Sequence, residues 1–430
     1  MRPAAAGNGA ATATPHGQAK YLPRPRSRRR GLALCLSGGG FRAALFHLGG
    51  LRRLNELGLL SQVDTISSVS GGSIISAHLA TRMRPWPAAG AVLSDPEWNE
   101  RIATPFQAFV GRNLRTWPIL NRLLPWNWLW DSTGVETLAR QYEKRLTGLR
   151  LPELPDRPRF IFCATDLPFG VNWVFDAGLL QGKRGRMGDY QAGYRRPIPN
   201  WPLARAVAAS SCFPPIFNPL PIGLRPDQLH PGAYRRADRD RLVAAIRLSD
   251  GGVYDNLGLE PVWKSHLIVL VSDGGAIFEA EADRGLLWRL QRYVTVVDSQ
   301  ARGLRKRWLI AGFLKNELLG AYWGIGSAGA HYVSALSQYP EDLVDEIISE
   351  VRTDLDAFSQ GEIAVLENHG YLLADAAIQR HVRPLADGAA QTPLRVLERP
   401  AAVPHPEWMS EARVREALKD SGTQRLLGRW

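Results

Sequence analysis

Cysteine is scarce in this 430-residue chain: Cys35, Cys163 and Cys212 are the only three, widely spaced and in apolar surroundings. An odd number without CxxC spacing argues against a disulfide framework and a zinc site. The expectation is three small buried hydrophobes in a reducing compartment. Long apolar runs are also missing. No window reaches the eighteen or so apolar residues of a membrane-crossing helix, and the nearest, Trp308 to Ile325, is broken by Lys315, Asn316 and Glu317. The first residues lack the apolar stretch of a secretory signal. A cytoplasmic location, peripheral to a membrane, is therefore expected, with an organelle presequence still open. No Asp/Asn calcium loop occurs, and no metal or cofactor is expected.

Acid is absent from residues 1–30, which carry seven basic residues: Arg2, Lys20, Arg24, Arg26, Arg28, Arg29 and Arg30. The formal net charge of +12 is thus mainly a property of this tail, and nucleic acid is not expected as a partner. The tail is rich in Ala, Gly and Pro and reads as disordered. It either attracts anionic headgroups, at roughly 1 kcal/mol per basic residue, or is a solvated leader without a role. Hydrophobic content of 45% and charged content of 22% fit a soluble globular chain with ample core.

Gly31–Ser37 reads as a short buried strand running into Gly38–Gly40 and a helix from about Phe41 to Leu57. Val63–Val69 reads as a second strand, followed by a helix from Gly71 to about Thr81. Strand, glycine turn, helix, strand, tight turn, helix is the grammar of a parallel α/β sheet. Arg159–Asp166, Ala244–Asp250 and Ser265–Asp273 read as further strands. Trp201–Pro219 reads as a short helix and a Pro-stiffened turn, Leu224–Leu242 as a polar insertion. The region to about Val382 reads as mostly helical. Residues 383–430 read as a Pro-rich linker and a C-terminal helix near Glu407–Gly428.

Residues 84–145 interrupt the pattern, with Trp86, Trp98, Trp117, Trp126, Trp128 and Trp130 among prolines and arginines. Tryptophan suits both a membrane interface and a core. A lipid-facing lid and a helical insertion with a Trp core are both open here.

The chemistry lies in the two glycine motifs. Residues 36–42 read LSGGGFR and residues 68–73 read SVSGGS. A glycine run opening a helix offers free N–H groups to an oxyanion, while no Gly-Lys-Ser/Thr follows to make a P-loop. Ser70, at a strand-to-helix turn, is the candidate nucleophile. Its base could be a histidine, but none of the nine sits in a distinctive loop after a strand. An aspartate can serve instead if burial raises its pKa, and Asp250 and Asp273 each precede two glycines after an apolar stretch.

In their order, GGGFR at 38–42, SVSGGS at 68–73 and DGGVYDNLGLEP at 250–261 resemble bacterial patatin-like phospholipases. FCATD at 162–166 and AVAASSCFPPIF at 206–217 are similar to further segments of that family. The resemblance covers about residues 31–382. It implies a three-layer α/β/α fold with a central, largely parallel sheet, and a Ser70–Asp250 dyad without histidine. It also implies an oxyanion hole of Gly38, Gly39 and Gly40 steadied by Arg42. Ser68 stands where the family's GxSxG begins with glycine, and Gly72, Gly251 and Gly252 shape the two turns. Asp250 is preferred to Asp273 because its motif continues to Asn256. The implied activity is lipid acyl hydrolysis of the phospholipase A or lysophospholipase type, on a phospholipid at a membrane surface. A neutral-lipid lipase or thioesterase with the same dyad, and a non-catalytic lipid-binding protein, are the alternatives. An activating partner or ligand is also expected, since unrestrained activity would damage the cell's own membrane.

Overall fold

Leu32–Leu36 (β1) is buried at all five positions, as a strand covered on both sheet faces must be. Its alternation divides the molecule. Leu32, Leu34 and Leu36 point into one core, Ala33 and Cys35 into another on the opposite face. The computed structural model describes residues 24, 26–124, 132–180, 183–214, 217–278, 280–328, 338–388, 394–419, 421, 424–425 and 428–429. Most of the basic tail, with Trp126, Trp128 and Trp130, lies outside the described residues.

After β1 come the helix Gly40–Glu56 (α1), the strand Thr65–Val69 (β2) and the helix Gly71–Arg82 (α2). The described part of the 84–145 region holds the helices Asp95–Trp98 (α3), Thr104–Val110 (α4), Thr116–Leu123 (α5) and Thr133–Arg145 (α6). Trp98 is fully buried and Trp86 packs edge-on against Phe160, whereas Trp117 is exposed. Its described tryptophans thus serve mainly as core. Arg159–Asp166 (β3) is followed by Val171–Leu180 (β4), Lys183–Asp189 (β5) and Gly193–Arg195 (β6). Next are the helix Leu203–Ser211 (α7), the short strands Leu220–Pro221 (β7) and His230–Pro231 (β8), and the helix Arg239–Ala244 (α8). Then follow Arg247–Asp250 (β9), the turn of helix Gly252–Asp255 (α9), Ile268–Asp273 (β10) and the long helix Leu286–Leu314 (α10). Leu319–Gly324 (β11), Glu341–Leu343 (α11) and Gln360–His381 (α12) complete the main body.

The strands form one 11-stranded sheet in the order β11-β10-β1-β2-β3-β4-β5-β6-β8, with β9 joining β3 and β7 joining β9. The centre, β11 to β3, is parallel. The outer half, β4 to β8, is antiparallel, as is β9. Helices flank the sheet, giving the layered α/β arrangement that the sequence implies. The antiparallel half and β11 were not foreseen, and β11 interrupts the region read as mostly helical.

Helices α1 and α12 cross at backbone contact. A Cβ on Gly49 would lie 1.9 Å from the Glu367 carbonyl oxygen, so only glycine fits there. Arg53 donates to Asp375 and Glu56, each at 2.8 Å, and to the Arg399 carbonyl. The stretch 394–409 is therefore fastened along α1 and α12 rather than hanging as a free linker. The C-terminal helix is shorter than expected, Glu411–Leu418.

Candidate active site

β2 and β9 lie along the same edge of β3 and run toward each other. β2, parallel to β3, ends with Val69 opposite Cys163, and β9, antiparallel, ends with Asp250 opposite Ala164. The strand ends meet, and Ser70 and Gly251 turn off the sheet at the junction.

Ser70 has φ 50° and ψ −116°, a backbone costing about 1–3 kcal/mol outside glycine. The surroundings hold it there. Its N–H donates to Ser210 Oγ at 3.0 Å, and that hydroxyl donates to the Cys163 carbonyl at 2.6 Å. The next residue packs directly on the glycine loop: a Cβ on Gly71 would sit 2.1 Å from the Gly40 carbonyl oxygen. Gly72 is equally confined, its N–H donating to the Ser37 carbonyl at 3.0 Å. Ser68, in the family's glycine position, is buried, accepts from Ser73 Oγ at 3.1 Å and donates to the Ile161 carbonyl at 3.3 Å.

Asp250 is 1% exposed. Its Oδ1 accepts the Gly252 N–H at 2.7 Å, while Oδ2 has no hydrogen-bond partner among the described residues. Burial pushes the carboxyl up to about 7; the Gly252 N–H and the Ser70 side chain pull the other way without cancelling it. The Gly251 N–H donates to the Ser210 carbonyl at 3.2 Å. Ser210 thus grips the serine turn with its hydroxyl and the aspartate turn with its backbone.

Of the three glycines expected to bind an oxyanion, Gly38 is already engaged. Its N–H donates to the Asn256 carbonyl at 3.0 Å. That corrects the three-donor expectation, because an amide hydrogen spent on a carbonyl is not open to substrate. The Gly39 and Gly40 N–H groups have no such partner among the described residues, and they stand at the positive end of α1. Arg42, 3% exposed, donates to the Ser349 and Val351 carbonyls at 2.9 and 2.8 Å and to the Gly274 carbonyl at 3.2 Å. It clamps the segment whose Asp354 carbonyl accepts the Phe41 N–H at 2.8 Å. Arg115, from the Trp-rich insertion, pairs with Asp354 and Asp356 on the same segment.

Gly38–Gly40, Ser70 and Asp250 line a pocket of about 150 Å³, with Phe213, Phe217 and Leu355 as apolar walls and Asp298 and Arg302 of α10 on one side. A larger cleft of about 860 Å³ lies at the opposite strand ends, lined by Arg26, Arg30, Asp64 and Leu394. It holds none of the residues argued to carry chemistry. No histidine lines the Ser70 pocket among the described residues. Burial lowers His47, His78 and His369 to about 4, and each ring serves a backbone carbonyl, those of Ser37, Ile102 and Ile325. Asp273 is pinned by the Gly275 N–H, the Tyr322 hydroxyl and Lys306. Burial raises it, but Lys306 and those hydrogen bonds more than offset this, so it stays ionised at the end of β10. Ser210, Asp298, Arg302 and the 349–354 segment were missed. Ser210 lies in a quoted motif, but nothing in its spacing ties it to Ser70.

Three solved structures are among those to which the chain is similar. Human GIVD cytosolic phospholipase A2 matches with 13% identity over 82% of this chain and 59% of that one, at a TM-score of 0.41. Its complex with methyl gamma-linolenyl fluorophosphonate gives 15% identity, 82% and 57% coverage and a TM-score of 0.41. VipD from Legionella pneumophila gives 14% identity, 82% and 67% coverage and a TM-score of 0.32. The chain thus corresponds to 59% of the length of the human phospholipase. A search of curated proteins finds no match. The family model of the patatin-like phospholipases matches residues 34–263, more than half of the sequence and both the Ser70 and Asp250 motifs. The chain belongs to the patatin-like phospholipase family.

Proposed function

We propose that the protein is a lipid acyl hydrolase of the phospholipase A or lysophospholipase type, working through a Ser70–Asp250 dyad. The observation that carries this reading is a buried carboxylate poised near neutrality beside a serine held in a strained turn. Asp250 takes the hydroxyl proton as Ser70 Oγ attacks the ester carbonyl. The oxyanion forms facing the Gly39 and Gly40 N–H groups, which need no reorganisation to receive it. Collapse expels the alcohol, which leaves with the proton held by Asp250. Water then gives a proton to Asp250 and attacks acyl-Ser70. The fatty acid departs and the proton returns to Ser70. Phe213, Phe217 and Leu355 suit an acyl chain at the pocket wall.

The test is fatty-acid release from mixed phospholipid vesicles, wild type against Ser70→Ala, with EDTA present. Release by the wild type alone supports the reading and reveals the preferred lipid. Silence from both, with Ser70 still labelled by a fluorophosphonate, points to a competent site awaiting an activator. Silence without labelling sinks the reading.

A further inference from the structure

Helix α10 turns apolar side chains to water along most of its length. A surface helix ordinarily buries its apolar stripe and turns charge to water. Here Leu309 and Phe313 pack inward near the C-terminal end, and charged side chains make the other inward contacts. Arg302 donates to the Ala276 carbonyl at 2.7 Å, Arg305 to the Tyr254 carbonyl at 2.7 Å, and Lys306 faces Asp273 at 3.3 Å. These contacts fasten the helix to α9, to the end of β10 and to the loop that follows β10. The outward face carries Tyr293, Val297 and Leu304, spaced four and seven residues apart, at 65%, 69% and 60% exposure. Leu286 at 72% and Leu314 at 80% extend the exposed apolar residues to both ends of the helix, a length of roughly 40 Å. An apolar stripe of that length on a soluble surface marks an interaction site.

Charge and position select the occupant. Beside the inward contacts of Arg302, Arg305 and Lys306, the helix keeps Arg289 and Arg307 exposed, and its single acid is Asp298, so a second copy would bring like charges together. Residues 1–23 have basic residues and no acid, and no long apolar run, to set against it. A bilayer containing anionic lipid supplies both an apolar phase and the opposite charge. The helix is also a wall of the catalytic pocket through Asp298 and Arg302, and Phe213 at that pocket is 51% exposed.

We propose that the outward face of α10, centred on Tyr293, Val297 and Leu304, docks on an anionic lipid surface and brings the Ser70 pocket to the acyl esters lying there. The purpose of docking rests on the lipid acyl hydrolase reading; the docking itself does not.

The experiment is co-flotation of the full chain with phosphatidylcholine vesicles, with and without phosphatidylglycerol. Wild type is compared with Val297→Asp/Leu304→Asp and with Val297→Ser/Leu304→Ser. The wild type should float with the mixed vesicles. The Asp pair should weaken binding at least about tenfold and the Ser pair less. Both variants should match the wild type in melting temperature and in hydrolysis of a soluble short-chain ester. Undiminished binding by the Asp pair, or no flotation of the wild type, overturns the proposal. So does a wild-type dimer that the variants split while vesicle binding persists, which would make a second copy the occupant. Loss of ester hydrolysis and of phosphonate labelling with flotation intact would sink the dyad and leave the docking surface standing.

Discussion

The Ser210 hydroxyl accepts the Ser70 amide hydrogen at 3.0 Å, across 140 positions of sequence. Through its own carbonyl, Ser210 also accepts the Gly251 N–H at 3.2 Å. One residue of α7 therefore fixes both turns whose side chains are proposed to react. Ser210→Ala keeps the second contact and abandons the first, leaving a buried N–H without a partner at about 1–3 kcal/mol. If that cost falls on the strained serine turn, kcat drops roughly 10–100-fold with little change in KM. The check is steady-state hydrolysis of a soluble ester together with the rate at which a fluorophosphonate labels Ser70. Unchanged labelling would show that Ser210 does not position the nucleophile.

Ser70 and Asp250 should behave as a unit. Ser70→Ala and Asp250→Asn are each expected to lower turnover by several orders of magnitude, and the double variant should be hardly worse than either. Turnover measured for the three variants decides it. Losses that multiply would mean two independent contributions.

The proposed dyad, with its raised Asp250, should give activity and stability opposite dependences on pH. Only the ionised carboxylate can accept the Ser70 proton, so kcat/KM should rise with pH through about 7. In the unfolded chain the same group loses its proton near 4. Between those values the folded state holds a proton that the unfolded state has released, so stability falls as pH rises from about 4 to 7 and stays lower above. Asp250→Asn removes that penalty. It should melt higher than wild type at pH 8, by about 2–4 kcal/mol of stability, and show no such gain at pH 4. A gain of equal size at both pH values would assign the effect to packing.

Arg42 is a buried clamp rather than a surface charge. Arg42→Gln strands the Ser349, Val351 and Gly274 carbonyls, a loss of about 2–4 kcal/mol. The 349–354 segment should then exchange its amide hydrogens faster. Arg42→Lys should rescue poorly, since one ammonium cannot reproduce the planar fork. Hydrogen exchange and thermal melts of both variants test this, and full rescue by lysine would show that charge alone matters.

Local pattern was a good guide where one element explains itself. β3 spans the residues its apolar, β-branched run suggests, and α1 and α2 differ from expectation by a residue or so at their ends. It was a poor guide where neighbours do the work. β11 reads LGAYWG, and its Gly320, at φ 134°, comes so close to Val269 that a Cβ would lie 2.0 Å from the carbonyl oxygen. Two glycines in six residues do not suggest a strand until β10 is beside them. β5 reads KRGRMGD, and its Arg186 finds Asp176 of β4 at 3.0 Å. Its charge is explained by a partner strand, not by periodicity. Gly38 was misjudged similarly, because only the fold brings the Asn256 carbonyl to its N–H.

The sequence by itself determined the candidate residue types of the site and their local stage. Small residues around Ser70 permit the tight turn, the glycine run frees amide groups at the start of α1, and Asp250 leads two glycines at a strand end. Those properties need only a few adjacent residues. What tertiary structure alone decided is that β2 and β9 end opposite Cys163 and Ala164, consecutive positions on β3. That register brings the Ser70 and Asp250 turns together and buries the carboxyl enough to raise its pKa. The outward apolar face of α10 was decided there too, since the inward contacts of Arg302, Arg305, Lys306 and Leu309 turn that face to water. Strand pairing and burial depend on residues far apart in sequence, Val69 with Cys163 and Ala164 with Asp250, and no local pattern contains them.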